Sequence, residues 1–142
     1  MPGNGKLFMK KTAAFLSLLM LLLMLGGCRL VRIEEGERTS LKYTVADRSQ
    51  IPEEAAKLIE EKKEKEFQMV YQKGEDLYLI KGYGRQMSGG YSIQVTDLSA
   101  SVNAVFFETK LIGPTEEVQG GEPSYPYIVV KTEYRDVPVQ FR

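Results

Sequence analysis

Apolar residues change their spacing three times along this chain, and each change predicts an element. Ala13 to Met24 is an apolar run broken only by Ser17. It is shorter than the roughly 20 residues that a membrane-spanning helix needs. Leu41, Tyr43 and Val45 then alternate with Lys42 and Thr44, the pattern of a half-buried strand. Next, Ile51, Ala55, Leu58 and Ile59 form a narrow stripe at helical spacing. Pro52 suits a first helical position, and Glu53-Glu54 suit the positive end of the helix dipole. This predicts a helix of about 15 residues, docked by its first half, because Glu60 to Glu66 offers no apolar side and reads as a solvated face. From Phe67 the period becomes two: Phe67, Met69 and Tyr71 lead into a Lys73-Gly74-Glu75-Asp76 turn and a nearly all-apolar return from Leu77 to Tyr83. Further strands are predicted at Tyr91–Val95, Val105–Leu111, Tyr127–Val130 and Val137–Phe141, the last as an edge because Pro138 lacks an N–H for a ladder. The predicted fold is α+β and mainly β: one antiparallel sheet of about six to seven strands with one early helix packed on one face.

The first apolar run gains meaning from its flanks. Lys6, Lys10 and Lys11 precede it, and Leu25-Gly26-Gly27-Cys28 closes it, the three parts of a secretory signal. The closing residues resemble a bacterial lipobox, although Gly26 stands where that pattern usually has Ala, Ser, Thr or Val. The resemblance implies cleavage before Cys28, lipid (diacylglycerol and palmitate-type acyl chains) on its thiol, and anchoring on the extracytoplasmic face of a bacterial cell membrane. Two acyl chains hold stably where one does not, at about 0.8 kcal/mol per buried methylene. The expected organisation is a signal peptide over 1–27, lipidated Cys28 with a short tether over 28–38, and a folded domain over 39–142. Leu30, Val31 and Ile33 are equally compatible with a first strand. A ten-residue tether reaches at most ~35 Å, so the domain and any partner sit close to the bilayer.

Removing residues 1–27 leaves 115 of 142 residues, with 16 basic and 19 acidic side chains. That is one domain with a slightly acidic balance, which lacks the basic footprint of a nucleic-acid binder. Cys28 is the only cysteine, and the chain has no histidine and no tryptophan. A Ser-His-Asp or Cys-His pair is therefore excluded, and so is the usual zinc site. The acids Glu75-Asp76 and Glu116-Glu117 lack the alternate spacing of a calcium loop. The expectation is a protein that is not an enzyme and uses neither cofactor nor metal. Gly82-Tyr83-Gly84 has no third glycine to complete a dinucleotide fingerprint, since Met87 stands in its place.

Two segments remain as candidates for binding. Gly84-Arg85-Gln86-Met87-Ser88-Gly89-Gly90-Tyr91 is a glycine-rich connection that presents Arg85 and Met87 beside adjacent glycines. Tyr125-Pro126-Tyr127 offers aromatics on a stiffened backbone, suited to an interface. A plain hairpin turn and rim packing are the alternatives that need no partner. In these segments the chain resembles the family of protease complex subunit PrcB C-terminal domains, through Ser88-Gly89-Gly90-Tyr91-Ser92-Ile93 and Tyr125-Pro126-Tyr127-Ile128-Val129-Val130-Lys131. Ser88 replaces the usual Thr, and Met87 stands where Pro is common. The resemblance runs from about Tyr71 to Lys131. It implies an accessory lipoprotein without catalytic residues that binds or stabilises a protein partner, a subunit of a surface protease complex. The contact residues expected on this basis are Arg85, Met87, Ser88, Gly89, Gly90, Tyr125 and Pro126. Gly90-Tyr91 also echoes the inhibitory loop of chagasin-type cysteine-protease inhibitors, though that family relies on a tryptophan in a second loop. A structural envelope lipoprotein without a dedicated partner is a third reading.

Overall fold

The computed structural model describes residues 36–116 and 121–142. The expected signal peptide, Cys28 and most of the expected tether lie outside the described residues. Eight strands and one α-helix follow in the order β1 (Thr39–Ser40), β2 (Tyr43–Val45), a 3-10 turn (Arg48–Gln50), α1 (Glu53–Lys62), β3 (Glu66–Lys73), β4 (Asp76–Tyr83), β5 (Ser92–Ala100), β6 (Val105–Ile112), β7 (Tyr127–Glu133) and β8 (Val139–Phe141).

Mainly β with one α-helix is the observed class among the described residues, but the single six-to-seven-stranded sheet is not. The strands form two four-stranded sheets, ordered β1-β5-β6-β8 and β2-β7-β4-β3. Pairing is antiparallel except between β6 and β8, which run parallel. The two sheets face each other over Leu77, Leu79, Leu98, Ala100, Val105, Phe107, Ile128 and Val130. On the far side of β2-β7-β4-β3, Ala55 and Ile59 of α1 pack with Tyr78, Ile80 and Val129. That sheet is thus covered on both faces, which is why β4 reads as an almost unbroken apolar run while β5 alternates. Leu77 and Leu79 point to the other sheet, Tyr78 and Ile80 to the helix.

Three local expectations change for identifiable reasons. The strand expected over Leu41–Val45 divides: β1 pairs with β5, β2 pairs with β7, and the chain crosses between sheets at Leu41-Lys42. The helix has ten residues rather than about 15. Only its stretch with a buried stripe is helical, and the charged residues after Lys62 have nothing apolar to dock. β5 continues past Val95 through a bulge at Thr96, after which Leu98 and Ala100 again face the core. The Gly74-Glu75 hairpin turn forms as expected, with Gly74 at φ +62°, and β8 is an edge.

Candidate functional site

The connection from β4 to β5 carries the chain from one sheet to the other. It begins at Gly84, whose φ of +74° and whose approach to the Glu66 backbone leave no room for a side chain. The Arg85 N–H then donates to the Glu64 carbonyl (3.1 Å), fastening the connection to the end of the helical region. Gln86 meets Ser124 in an isolated antiparallel bridge: Gln86 N–H donates to the Ser124 carbonyl (2.8 Å), and Ser124 N–H to the Gln86 carbonyl (3.1 Å). The Gln86 side-chain amide also donates to the Tyr83 carbonyl (3.1 Å), and the Ser124 hydroxyl to the Ser88 carbonyl (2.6 Å). Tyr83 N–H donates to the Pro126 carbonyl (3.0 Å). The two segments singled out in the sequence therefore lie side by side, stitched by backbone.

Within this patch the candidate residues divide by exposure. Met87 is 80 % exposed, and Arg85 and Gly89 are exposed as well. Ser88 is 9 % exposed and takes part through its carbonyl, so its side chain offers little to a partner. Of the two adjacent glycines, only Gly90 has a left-handed backbone (φ +84°), and a Cβ there would meet Pro114 at 3.0 Å. Gly89 has open space around it and no such angle. Tyr125 and Pro126 are half-buried. The Lys63 ammonium sits 5.2 Å from the centre of the Tyr125 ring, within cation–π range. The Glu60 carboxylate, 2.8 Å away and hydrogen-bonded to Lys63, raises the lysine's pKa and keeps it charged. The patch is thus one apolar tip, one arginine and a tyrosine held against a cation.

Beside it runs an open groove of about 390 Å³, lined by Val45–Arg48 and Ile51 on one wall and Tyr125–Val129 on the other. Sequence reasoning did not include this wall, nor Lys63. A signal for the wall existed: Asp47 and Gln50 are spaced as a capping box. The box forms, with Asp47 Oδ1 accepting from Ser49 N–H (2.9 Å) and Gln50 Oε1 from Asp47 N–H (3.0 Å). A concavity of similar size, about 440 Å³, lies at the opposite end of β7. Its lining includes the ion pair Lys131–Asp76 (3.5 Å), and none of the expected contact residues. Among the described residues no three of His, Cys, Asp and Glu converge as metal ligands, and no helix is long and apolar enough to cross a membrane.

No curated protein and no solved structure matches this chain. A family model does match, the one described as PrcB C-terminal, over residues 77–133. The matched stretch begins in β4 and ends with β7, so it supplies the two central strands of each sheet together with both segments of the patch. From Leu77 to Glu133, the chain is similar to the PrcB C-terminal family.

Proposed function

We propose that this chain is a non-enzymatic, lipid-anchored accessory subunit on the extracytoplasmic face of a bacterial membrane, and that it holds a surface protease through the patch around Met87 and Tyr125. The family match supports association with a protease complex. The observation that carries the contact site is the Gln86–Ser124 bridge, which joins the two segments while leaving Met87 outside. Exposed methionine beside a fixed aromatic suits an adaptable protein contact. Anchoring rests on the lipobox-like Leu25-Gly26-Gly27-Cys28.

A photo-crosslinking residue at position 87, in intact cells, tests the contact directly. A protease recovered from that position and lost from it with Tyr125→Ala, and, separately, co-purification of that protease weakened by Met87→Glu, each in a protein that still melts cooperatively, is the expected result. Recovery that neither substitution weakens would move the contact elsewhere. Stoichiometric inhibition of a cysteine protease, abolished by Met87→Glu, would favour the inhibitor reading. No partner at any patch position would leave a structural envelope lipoprotein. Labelled fatty acid should enter the wild-type chain and not Cys28→Ala; equal labelling of both would refute the anchor.

A further inference from the structure

The edges of the two sheets are unequal. β1 has two residues, β2 and β8 three each, but β3 has eight. Short strands are the usual way an edge is kept from pairing with another chain. β3 has few of the other protections: it contains no proline, its charges (Glu66 and Lys73) stand only at its two ends, and it pairs with β4 without a bulge from Glu66↔Tyr83 to Lys73↔Asp76. None of the described elements pairs with its outer side. Every second residue there turns its N–H and C=O outward. Val70, at the middle, is 45 % exposed, with Gln68 and Gln72 exposed on either side of it on the same face.

We infer that this edge pairs with β3 of a second copy, antiparallel about a twofold axis normal to the sheet, giving a continuous eight-stranded sheet. Such an axis keeps each side chain on its own face, so a residue can meet only residues of the same parity. The two central registers put either Val70 or Met69 on the axis. With Met69 on the axis, Lys65 faces Lys73 of the second copy, and like charges oppose. With Val70 on the axis the strand is self-complementary: Val70 meets Val70, Met69 meets Tyr71, Gln68 meets Gln72 and Phe67 lies along the stem of Lys73. Beyond the ladder's ends Lys65 comes beside Glu75, an opposite-charge pair. Charge selects the Val70 register. This surface is separate from the patch around Met87, so either can fail alone.

The test uses full-length protein in mild detergent with Cys28→Ser, which removes the chain's only other thiol. Paired Cβ atoms in an antiparallel ladder lie close enough for a disulfide, which traps even weak association. Oxidised Val70→Cys should run as a covalent dimer. Gln68→Cys and Gln72→Cys should each remain monomeric alone yet form a mixed dimer when combined, a result that only the proposed register gives. In the otherwise native chain, Val70→Lys should leave thermal unfolding unchanged and weaken dimerisation roughly tenfold by sedimentation, since two lysines then meet on the axis. A monomeric Val70→Cys after oxidation, or a Gln68/Gln72 mixture that stays monomeric, overturns the pairing. A thiol on β3 that traps a different protein and never its own copy would assign the edge to a foreign strand and equally refute it.

Discussion

The sheet β2-β7-β4-β3 and the sheet β1-β5-β6-β8 are built from the same number of strands, but only the first has both faces covered. On the first, Tyr78, Ile80 and Val129 are sealed by α1. Among the described residues, no such layer covers the outer face of the second. There Phe106 is fully buried beneath two guanidinium groups, Arg38 at 4.0 Å and Arg142 at 4.8 Å from the ring centre. Arg38 is steadied by Asp97 at 3.5 Å, which the Thr96 bulge puts on that face. One sheet excludes water with a helix, the other with the flat faces of arginines over one aromatic ring. A layer of secondary structure protects a whole row of residues, whereas stacked cations protect a single one.

Four measurements press on that difference, in order of expected size. Ile80→Ala, beneath the helix, should cost about 2–5 kcal/mol in denaturant unfolding, whereas Ile112→Ala, 41 % exposed on the second sheet, should stay within about 1 kcal/mol. Similar costs at the two positions would mean that the helix does not seal its sheet. The crossing between sheets should be the next most sensitive. Gly90→Val combines a left-handed backbone with the Pro114 contact and should lose about 1–3 kcal/mol, against little for Gly89→Val. Phe106→Leu keeps an apolar side chain but removes the face on which the arginines stack. Its cost should be about 1 kcal/mol and should shrink in an Arg38→Ala background.

The smallest effect belongs to Asp47, at the turn that leads into α1. The Ser49 hydroxyl, followed by the Ser49 and Gln50 N–H groups, holds its carboxyl below the usual aspartate pKa. A depressed folded pKa gives stability that is fully present above the unfolded value and disappears as pH falls through the folded one. Thermal melting of the wild type should therefore lose a small increment at acid pH that Asp47→Asn does not show. If the two profiles run parallel from neutrality into acid, the cap contributes nothing to the first sheet's cover.

Much of the fold was legible in period and punctuation. β3, β4 and their Gly74-Glu75 turn, the edge position of β8 and the docking stripe of α1 follow from local patterns that folding preserves. The helix end was misplaced because charged residues with good helix propensity continue past Lys62, while packing stops at Ile59. The split of Leu41–Val45 between two sheets was not readable, since each half makes the same alternation whichever sheet it joins. The patch shows the same division. Glycine spacing pointed to 84–91, and Tyr-Pro-Tyr to 125–127. Neither said that Gln86 and Ser124 would bridge, nor that Ser88 would turn inward.

The sequence by itself determined which residues alternate, where the chain turns, and which chemistries are missing, because those depend on residue type and near neighbours. It also held one clue to the number of layers: β4 is apolar on both faces, which a sheet covered by a helix on one side only cannot explain. Tertiary structure alone decided that eight strands divide four and four, that β6 and β8 run parallel, and that two arginines far apart in the chain close over one phenylalanine. Those outcomes rest on contacts between distant segments. Each requires a loop to close before it is rewarded, so no local pattern records it.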